Sequence, residues 1–328
     1  MTTLSKLIQP LVAEGPYFKL VCGATFEDTS ELAHLATIFT LAGARLVDVA
    51  AQPDAVDAAL SGVRRARRLG SAWLPQAPVP LVMVSIGPED DPHVQIAEKV
   101  DALCTWECPH CLNACPHGAI DAQLKIVAQR CVGCGQCVAA CPEEAVRMVP
   151  AAPPAALDEL WGAGARALEL HAGTGAGLGA YEGQVRAWSA KGGVFSLSVN
   201  AVQMTVAQAT DAWRTVSRWV EGPLLLQADG KPISGTAGEA STRPALSFAC
   251  DLMAAGVPHV QVAGGTNDLT GKMAREMGLG LAGVAVGSFA RRLVRDIRGL
   301  GDPNAGMSEG LSRARKLVAS ALEPLEAR

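Results

Sequence analysis

Eight of the ten cysteines in this 328-residue chain fall between Cys104 and Cys141. They form two sets in the same order: Cys104, Cys108, Cys111 and Cys115 followed by Pro116, then Cys131, Cys134, Cys137 and Cys141 followed by Pro142. Thiolates are the ligands of iron–sulfur clusters. The second set has the C-x2-C-x2-C-x3-C-P spacing of bacterial two-cluster ferredoxins, in which the fourth cysteine of each run serves the other cluster. Three thiolates from one tight loop cap three irons of a cubane, and the fourth iron takes its ligand from elsewhere in the chain. Crossed in this way, one [4Fe-4S] cluster takes Cys104, Cys108, Cys111 and Cys141, and the other takes Cys131, Cys134, Cys137 and Cys115. Gly133 and Gly135 let the backbone fold closely around the sulfurs, where N–H groups donate hydrogen bonds that tune potential. The first set has three residues rather than two between Cys104 and Cys108, which leaves a three-iron or labile form of that cluster open.

Other uses of cysteine fit less well. Zinc would call for pairs of C-x2-C with a longer spacer and has no use for a terminal C-x3-C-P. Disulfides suit secreted chains, and the Met-Thr-Thr-Leu start shows no basic segment followed by an apolar one. The expected setting is a reducing cytoplasm. Cys22 and Cys250 read as ordinary buried thiols. Hydrophobic content of 49% with 34 glycines suits a well-buried α/β core. No apolar run approaches the ~20 residues needed to span a bilayer. The net charge of −4 is unevenly placed. Residues 87–150 hold nine acidic against four basic side chains, and the rest is close to neutral. Nothing supplies the basic face that nucleic acid requires.

The elements that must position the cysteines alternate between strand and helix. Apolar strands are expected at 19–22, 45–50, 81–86, 166–171, 194–199, 223–228, 259–263 and 281–286, with helices between them and a last amphipathic helix over about 308–325. Asp28 with Glu31 offers a capping box for the first helix and Gly43 a stop. The Arg64, Arg65, Arg67 and Arg68 cluster suits a solvated helix C-terminus. Eight strands, each followed by a helix, over a chain that without its insert is near the ~250 residues of a (β/α)8 barrel, predict a TIM-like barrel, with an open doubly wound sheet as the alternative. Residues 1–86 then form the first part of the barrel, 87–150 a ferredoxin-like insert after strand 3, and 151–328 the remainder with its C-terminal helix. A βα-loop lies on the face that carries active sites in barrel enzymes, so the insert should border the barrel mouth.

Two Gly-rich turns are candidates for that mouth. Gly264, Gly265 and Thr266 follow strand 7, and Gly287 and Ser288 follow strand 8. Together they resemble the phosphate site that barrels build from their last two βα-loops, and FMN or another phosphate-bearing ligand is the expected occupant. Tight βα turns also use glycine without binding anything. Asp48, Glu169, His171, Asn200, Gln227, Asp229, Lys231 and Gln261 fall at strand C-terminal ends, yet no Ser-His-Asp or paired-acid set emerges from their spacing. No catalytic residue is therefore assigned.

The order of parts resembles the cyanobacterial light-dependent period (LdpA) family. The likeness rests on Lys-Leu-Val-Cys-Gly-Ala at 19–24, Ala-Gly-Ala-Arg-Leu-Val-Asp-Val-Ala-Ala at 42–51, the double cysteine motif, Gln-Ala-Asp-Gly-Lys-Pro-Ile-Ser-Gly at 227–235 and Gln-Val-Ala-Gly-Gly-Thr-Asn at 261–267. The resemblance implies an iron–sulfur redox sensor that reports electron-transport or light state to the circadian clock, with clock-associated proteins as partners beside a redox donor. The alternative is a flavin-dependent barrel oxidoreductase fed with electrons through two [4Fe-4S] clusters.

Overall fold

A computed structural model describes residues 11, 15–70, 79–105, 108–151, 156–230, 238–299 and 303–326. Eight parallel strands close into a barrel: β1 (Tyr17–Val21), β2 (Leu46–Ala50), β3 (Leu81–Ile86), β6 (Ala167–His171), β7 (Val194–Asn200), β8 (Leu224–Asp229), β9 (Val260–Ala263) and β10 (Gly283–Val286). Each expected strand is present to within two residues at either end, and β1 pairs with β10 from Tyr17↔Gly283 to Leu20↔Val286 to complete the ring. This is a TIM-barrel-like fold. Two further strands, β4 (Gln95–Lys99) and β5 (Val146–Pro150), lie between β3 and β6 in sequence and form a separate antiparallel pair.

Local chemistry accounts for the helix boundaries. Helix α1 (Thr29–Ala42) starts at Asp28, whose side chain accepts from the Glu31 N–H at 3.0 Å, and ends at Gly43 with φ 105°. Helix α2 (Pro53–Gly70) ends in the four arginines, all exposed as expected of a solvated terminus. Among the described residues of the segment after β3, the α-helices are single turns, α3 (His110–Ala114) and α4 (Gln136–Ala139). The barrel helices resume with α5 (Leu157–Ala163), α6 (Glu182–Ala190), α7 (Val206–Ser217), α8 (Glu239–Ala254), α9 (Thr270–Glu276) and α10 (Ser288–Arg295). A reciprocal Thr205–Gln208 capping box starts α7. The last helix, α11 (Pro303–Glu326), packs across α1, α9 and α10 on the outside of the barrel.

The period of two along each strand separates two interiors. Outward residues such as Phe18, Leu20, Val47, Val49, Val84, Leu168, Leu197, Leu226, Val262 and Val284 join the helices in one large core. Inward residues form layers. The lowest is apolar, with Tyr17, Leu46, Met83, Ala167, Val194 and Leu225. One step up, the inward positions are Lys19, Asp48, Ser85, Glu169, Ser196, Gln227 and Gln261, all buried and all polar. The inserted segment has its own small core, built from Ala97, Ile120, Leu124, Val146 and the cysteines Cys111, Cys131 and Cys137. Among the described residues no helix is long and apolar enough to cross a membrane.

Candidate functional site

The last C-x3-C pair of each set is carried by a single helical turn: Cys111 and Cys115 by α3 and its cap, Cys137 and Cys141 by α4 and the residues just after it. The β4–β5 pair brings the two ends of the segment together, with Lys99 opposite Val146. As a result Cys104, Cys108, Cys111 and Cys141 line one cavity, and Cys115, Cys131, Cys134 and Cys137 line another. The eight cysteines are thus brought together as two groups of four, each drawing its fourth member from the other run. The Ala97 N–H donates to Cys131 Sγ, Ala119 N–H to Cys115 Sγ and Ala145 N–H to Cys141 Sγ, each at 3.3 Å. Burial, and then the charges of Cys131, Cys134 and Cys115, push the Cys137 thiol up to about 12. Burial raises Cys111 in the same sense; the Leu112 amide opposes it, and Cys108, Cys141 and Cys104 add to it. Burial likewise raises Cys134, and a metal centre that takes up thiolate charge would offset this penalty, so the all-thiol lining of the two cavities fits the donor chemistry of iron–sulfur binding. Of the other two cysteines, Cys22 is buried, with its thiol pushed by burial to about 12, while Cys250 is only partly buried.

The Cys115 group is the one nearer the barrel mouth. Thr25 Oγ1 donates to the Cys131 carbonyl at 2.6 Å, Arg130 pairs with Asp28 at 2.9 Å, and Arg295 donates to the Pro116 carbonyl at 2.7 Å. On the other side Asp90 accepts from the Thr174 hydroxyl at 2.7 Å. Asp90 is exposed, whereas its neighbour Asp91 is 2% exposed. Asp91 accepts from His93 Nδ1 at 2.8 Å and lies 3.6 Å from His171 Nδ1. Burial alone would lower the His171 pKa, but the Asp91 and Glu169 carboxylates raise it to about 9, and the same contacts hold Asp91 well below the usual carboxylate range against its burial. The ligand atoms of Asp91, His93 and His171 lie within 4.8 Å of one another, close enough to hold a metal ion.

Beneath this clamp, Lys19 Nζ donates to Glu169 Oε2 at 2.5 Å and Gln227 Oε1 at 3.1 Å, and lies 3.1 Å from Asp48 Oδ2. Gln227 Nε2 donates to Glu169 at 2.9 Å, Gln261 donates to Gln227 at 3.1 Å, Ser85 donates to Asp48 at 2.7 Å, and Ser198 donates to Asp229. Burial opposes the charge on Lys19, yet Asp48 and Glu169 outweigh it and raise its pKa; burial likewise opposes the charge on Glu169, but Lys19 and His171 hold its pKa down. Burial raises Asp48 and Asp229. Of the strand-end residues singled out by sequence, Asp48, Glu169, His171, Gln227, Asp229 and Gln261 thus belong to one network. Asn200 Oδ1 accepts from the Val202 N–H at 2.7 Å while its Nδ2 is buried without a hydrogen-bond partner, and Lys231 lies outside the described residues. Lys19 went unnoticed because its neighbours read as an apolar strand; its inward phase, two residues from Tyr17, is the signal that finds it. Asp91 and His93 went unnoticed inside an acidic loop, and Arg291 inside a basic helix.

Gly264, Gly265, Thr266, Gly287 and Ser288 all line one cavity of about 100 Å3 at the mouth, together with Asp48, Glu169, His171, Asp229, Cys134 and Arg291. Gly265 has φ +90°, and a Cβ there would sit 2.1 Å from the Ser241 carbonyl oxygen, so the turn admits no side chain.

Comparison with known proteins places this arrangement. A family model described as the light dependent period A C-terminal domain matches residues 160–327, and one described as the LdpA Fe-S cluster-binding domain matches residues 104–151. A Synechococcus elongatus protein named light dependent period A is 34% identical over 292 residues, covering 84% of this chain and 80% of its own. The chain belongs to the light dependent period A family. The match to the Fe-S cluster-binding domain takes in all eight clustered cysteines and β5, and the match to the C-terminal domain begins in α5. A 42-residue stretch is also 40% identical to the pyruvate synthase subunit PorD of Methanothermobacter marburgensis, covering 13% of this chain and 52% of that protein. Among solved structures, the tryptophan synthase alpha chain of Legionella pneumophila matches at 11% identity with a TM-score of 0.47, covering 99% of this chain and 98% of its own.

Proposed function

We propose that this light dependent period A family member is a cytoplasmic iron–sulfur redox sensor that reports cellular redox or light state to the circadian clock through clock-associated proteins. The observation that carries it is the grouping of eight cysteines into two sets of four, one of them built onto the mouth of a barrel. In this reading residues 87–150 are a ferredoxin-like insert between barrel parts 1–86 and 151–328. Cys104, Cys108, Cys111 and Cys141 hold one [4Fe-4S] cluster, and Cys131, Cys134, Cys137 and Cys115 hold the other. Such clusters supply a reversible one-electron change in charge. The chain's own residues would pass that change on. The Cys131 carbonyl is bonded to Thr25 in the loop after β1, and Cys131 Sγ to the Ala97 amide of β4. Cys134 shares the mouth cavity with His93, His171 and Arg291. A shift in charge or packing of the Cys131–Cys137 loop therefore acts on the clamp between insert and barrel, and so on the surface a partner would meet.

The test is anaerobic purification with iron, sulfide and flavin measured on one sample, followed by EPR after reduction. About eight irons per chain and no flavin are expected, with binding of a clock-associated partner that differs between oxidised and reduced protein. Zinc in place of iron, or partner binding that ignores redox state, would sink the sensor reading. Stoichiometric flavin would instead make the buried polar layer of the barrel a reaction site and bring the oxidoreductase alternative forward.

A further inference from the structure

The guanidinium of Arg291 is 3% exposed, and among the described residues no carboxylate lies within ion-pair distance of it. It donates to the Cys22 carbonyl and to Ser288 Oγ, the latter at 3.2 Å, and lies over the Phe26 ring at 5.3 Å. Its Nε is buried without any hydrogen-bond partner. A buried charge without a direct ion pair is costly, and burial pulls the Arg291 pKa below its ordinary value even though Cys22 and the Glu31 carboxylate act the other way. Of the carboxylates that line the same cavity, Asp48 and Glu169 pair with Lys19 at 3.1 and 2.5 Å, and Asp229 accepts from Ser198.

Arg291 lines the same cavity as Gly264, Gly265, Gly287 and Ser288. Ser288 opens the eight-residue helix α10, and the first amides of a helix have no intrahelical acceptors and carry its positive pole. The 100 Å3 of the cavity falls below the roughly 300–1,000 Å3 of pockets for drug-sized ligands, and below the ~150 Å3 cavity that accepts benzene. That space suits a five-atom tetrahedral anion and not a ring system.

We propose that the barrel mouth holds a phosphate group, with Arg291 as its counter-charge and the Gly287–Ser288 helix start as its hydrogen-bond cradle. Two sources share this chemistry: free inorganic phosphate, and the terminal phosphate of a phosphomonoester whose remainder lies outside the cavity. Cys134, a cluster ligand in the sensor reading, lines the same cavity, but Arg291, Gly287 and Ser288 are not cluster ligands, so iron content and phosphate binding are read separately in the test.

The experiment uses the full chain purified anaerobically in phosphate-free buffer, with iron content checked, and follows thermal unfolding against inorganic phosphate, FMN or riboflavin. Saturable stabilisation by inorganic phosphate, about 5 °C at a hundredfold excess over Kd, is expected. Arg291→Met should weaken it at least thirtyfold, while the exposed control Arg214→Met leaves it unchanged. FMN competing with phosphate, with riboflavin inert, would identify a phosphomonoester as the source; phosphate alone would identify the free ion. Should Arg291→Met fail to fold, Arg291→Lys keeps the charge without the forked donors and should weaken binding about tenfold. No stabilisation by either phosphate or FMN, or equal affinity in the foldable Arg291 variants, overturns the proposal. Loss of the clusters with phosphate binding intact would count against the sensor reading alone.

Discussion

His171 shows how a single side chain joins insert to barrel. It projects from the end of β6 toward Asp91 of the insert, and its raised pKa, about 9 against an ordinary 6.5, makes the contact an ion pair at neutral pH. The stabilisation this pair gives is complete below pH 6.5 and is lost as the pH rises through about 9. Asp91→Asn should therefore lower stability by about 3 kcal/mol and flatten the dependence of Tm on pH between those two values. A variant whose Tm still falls as steeply as wild type across that range would show that another group titrates there. Cys134 gives a second prediction at this scale. Cys134→Ser should remove the iron of one group, so that metal analysis falls from about eight to about four atoms per chain. The circular dichroism of the barrel should be retained, because Cys134 lies outside both the barrel core and the insert core.

Gly133 and Gly135 separate two costs within one loop. Both have positive φ, +67° and +69°, but a Cβ on Gly133 would sit 2.4 Å from the Gln95 carbonyl oxygen, whereas one on Gly135 would meet nothing within 4 Å. Gly135→Ala should cost about 1 kcal/mol of backbone strain and keep full iron. Gly133→Ala must push the cysteine loop off β4 and should lose the Cys115-group iron, as read by metal content and EPR. Equal iron in the two variants would show that the loop does not depend on its seat against Gln95. The same loop is tied to strand β4 through the Ala97 amide, which donates to Cys131 Sγ, and to the barrel through Thr25, which donates to the Cys131 carbonyl.

At the scale of the molecule, two cores with separate memberships stand side by side, that of the insert and that of the barrel with its helices. Strands β4 and β5 open and close the inserted segment, and they pair with each other rather than with the barrel. Replacing residues 89–149 by a short Gly/Ser linker should leave a barrel with native-like circular dichroism and a lowered Tm, having lost the Thr174, Asp28 and Arg295 contacts. An unfolded product would mean that the insert is part of the barrel's stability rather than a module on it. The polar inner layer of the barrel survives such a deletion, and that layer is a costly thing to bury in a scaffold. Its retention beneath the insert is consistent with a mouth that receives a ligand.

The eight cysteines, their spacing and the eight strands of the barrel were all legible in the amino-acid order. Each is a local property: ligand type, hydrophobic period and turn residues act over a few positions, and none needs to know what lies across the barrel. The family was legible for the same reason, from short segments at Lys19, Asp48, Gln227 and Gln261. The β4–β5 pair was not, because its five-residue strands alternate weakly and gain their order from closing the insert. The use of Lys19, Asp91, His93 and Arg291 was also hidden. Their neighbours in sequence describe an apolar strand, an acidic loop and a basic helix, and only barrel closure brings Lys19 within 2.5 Å of Glu169, 150 positions away. Which charges find partners, and which one is left without, is a sum over contacts from distant parts of the chain; it exists only once the tertiary structure has removed those groups from water.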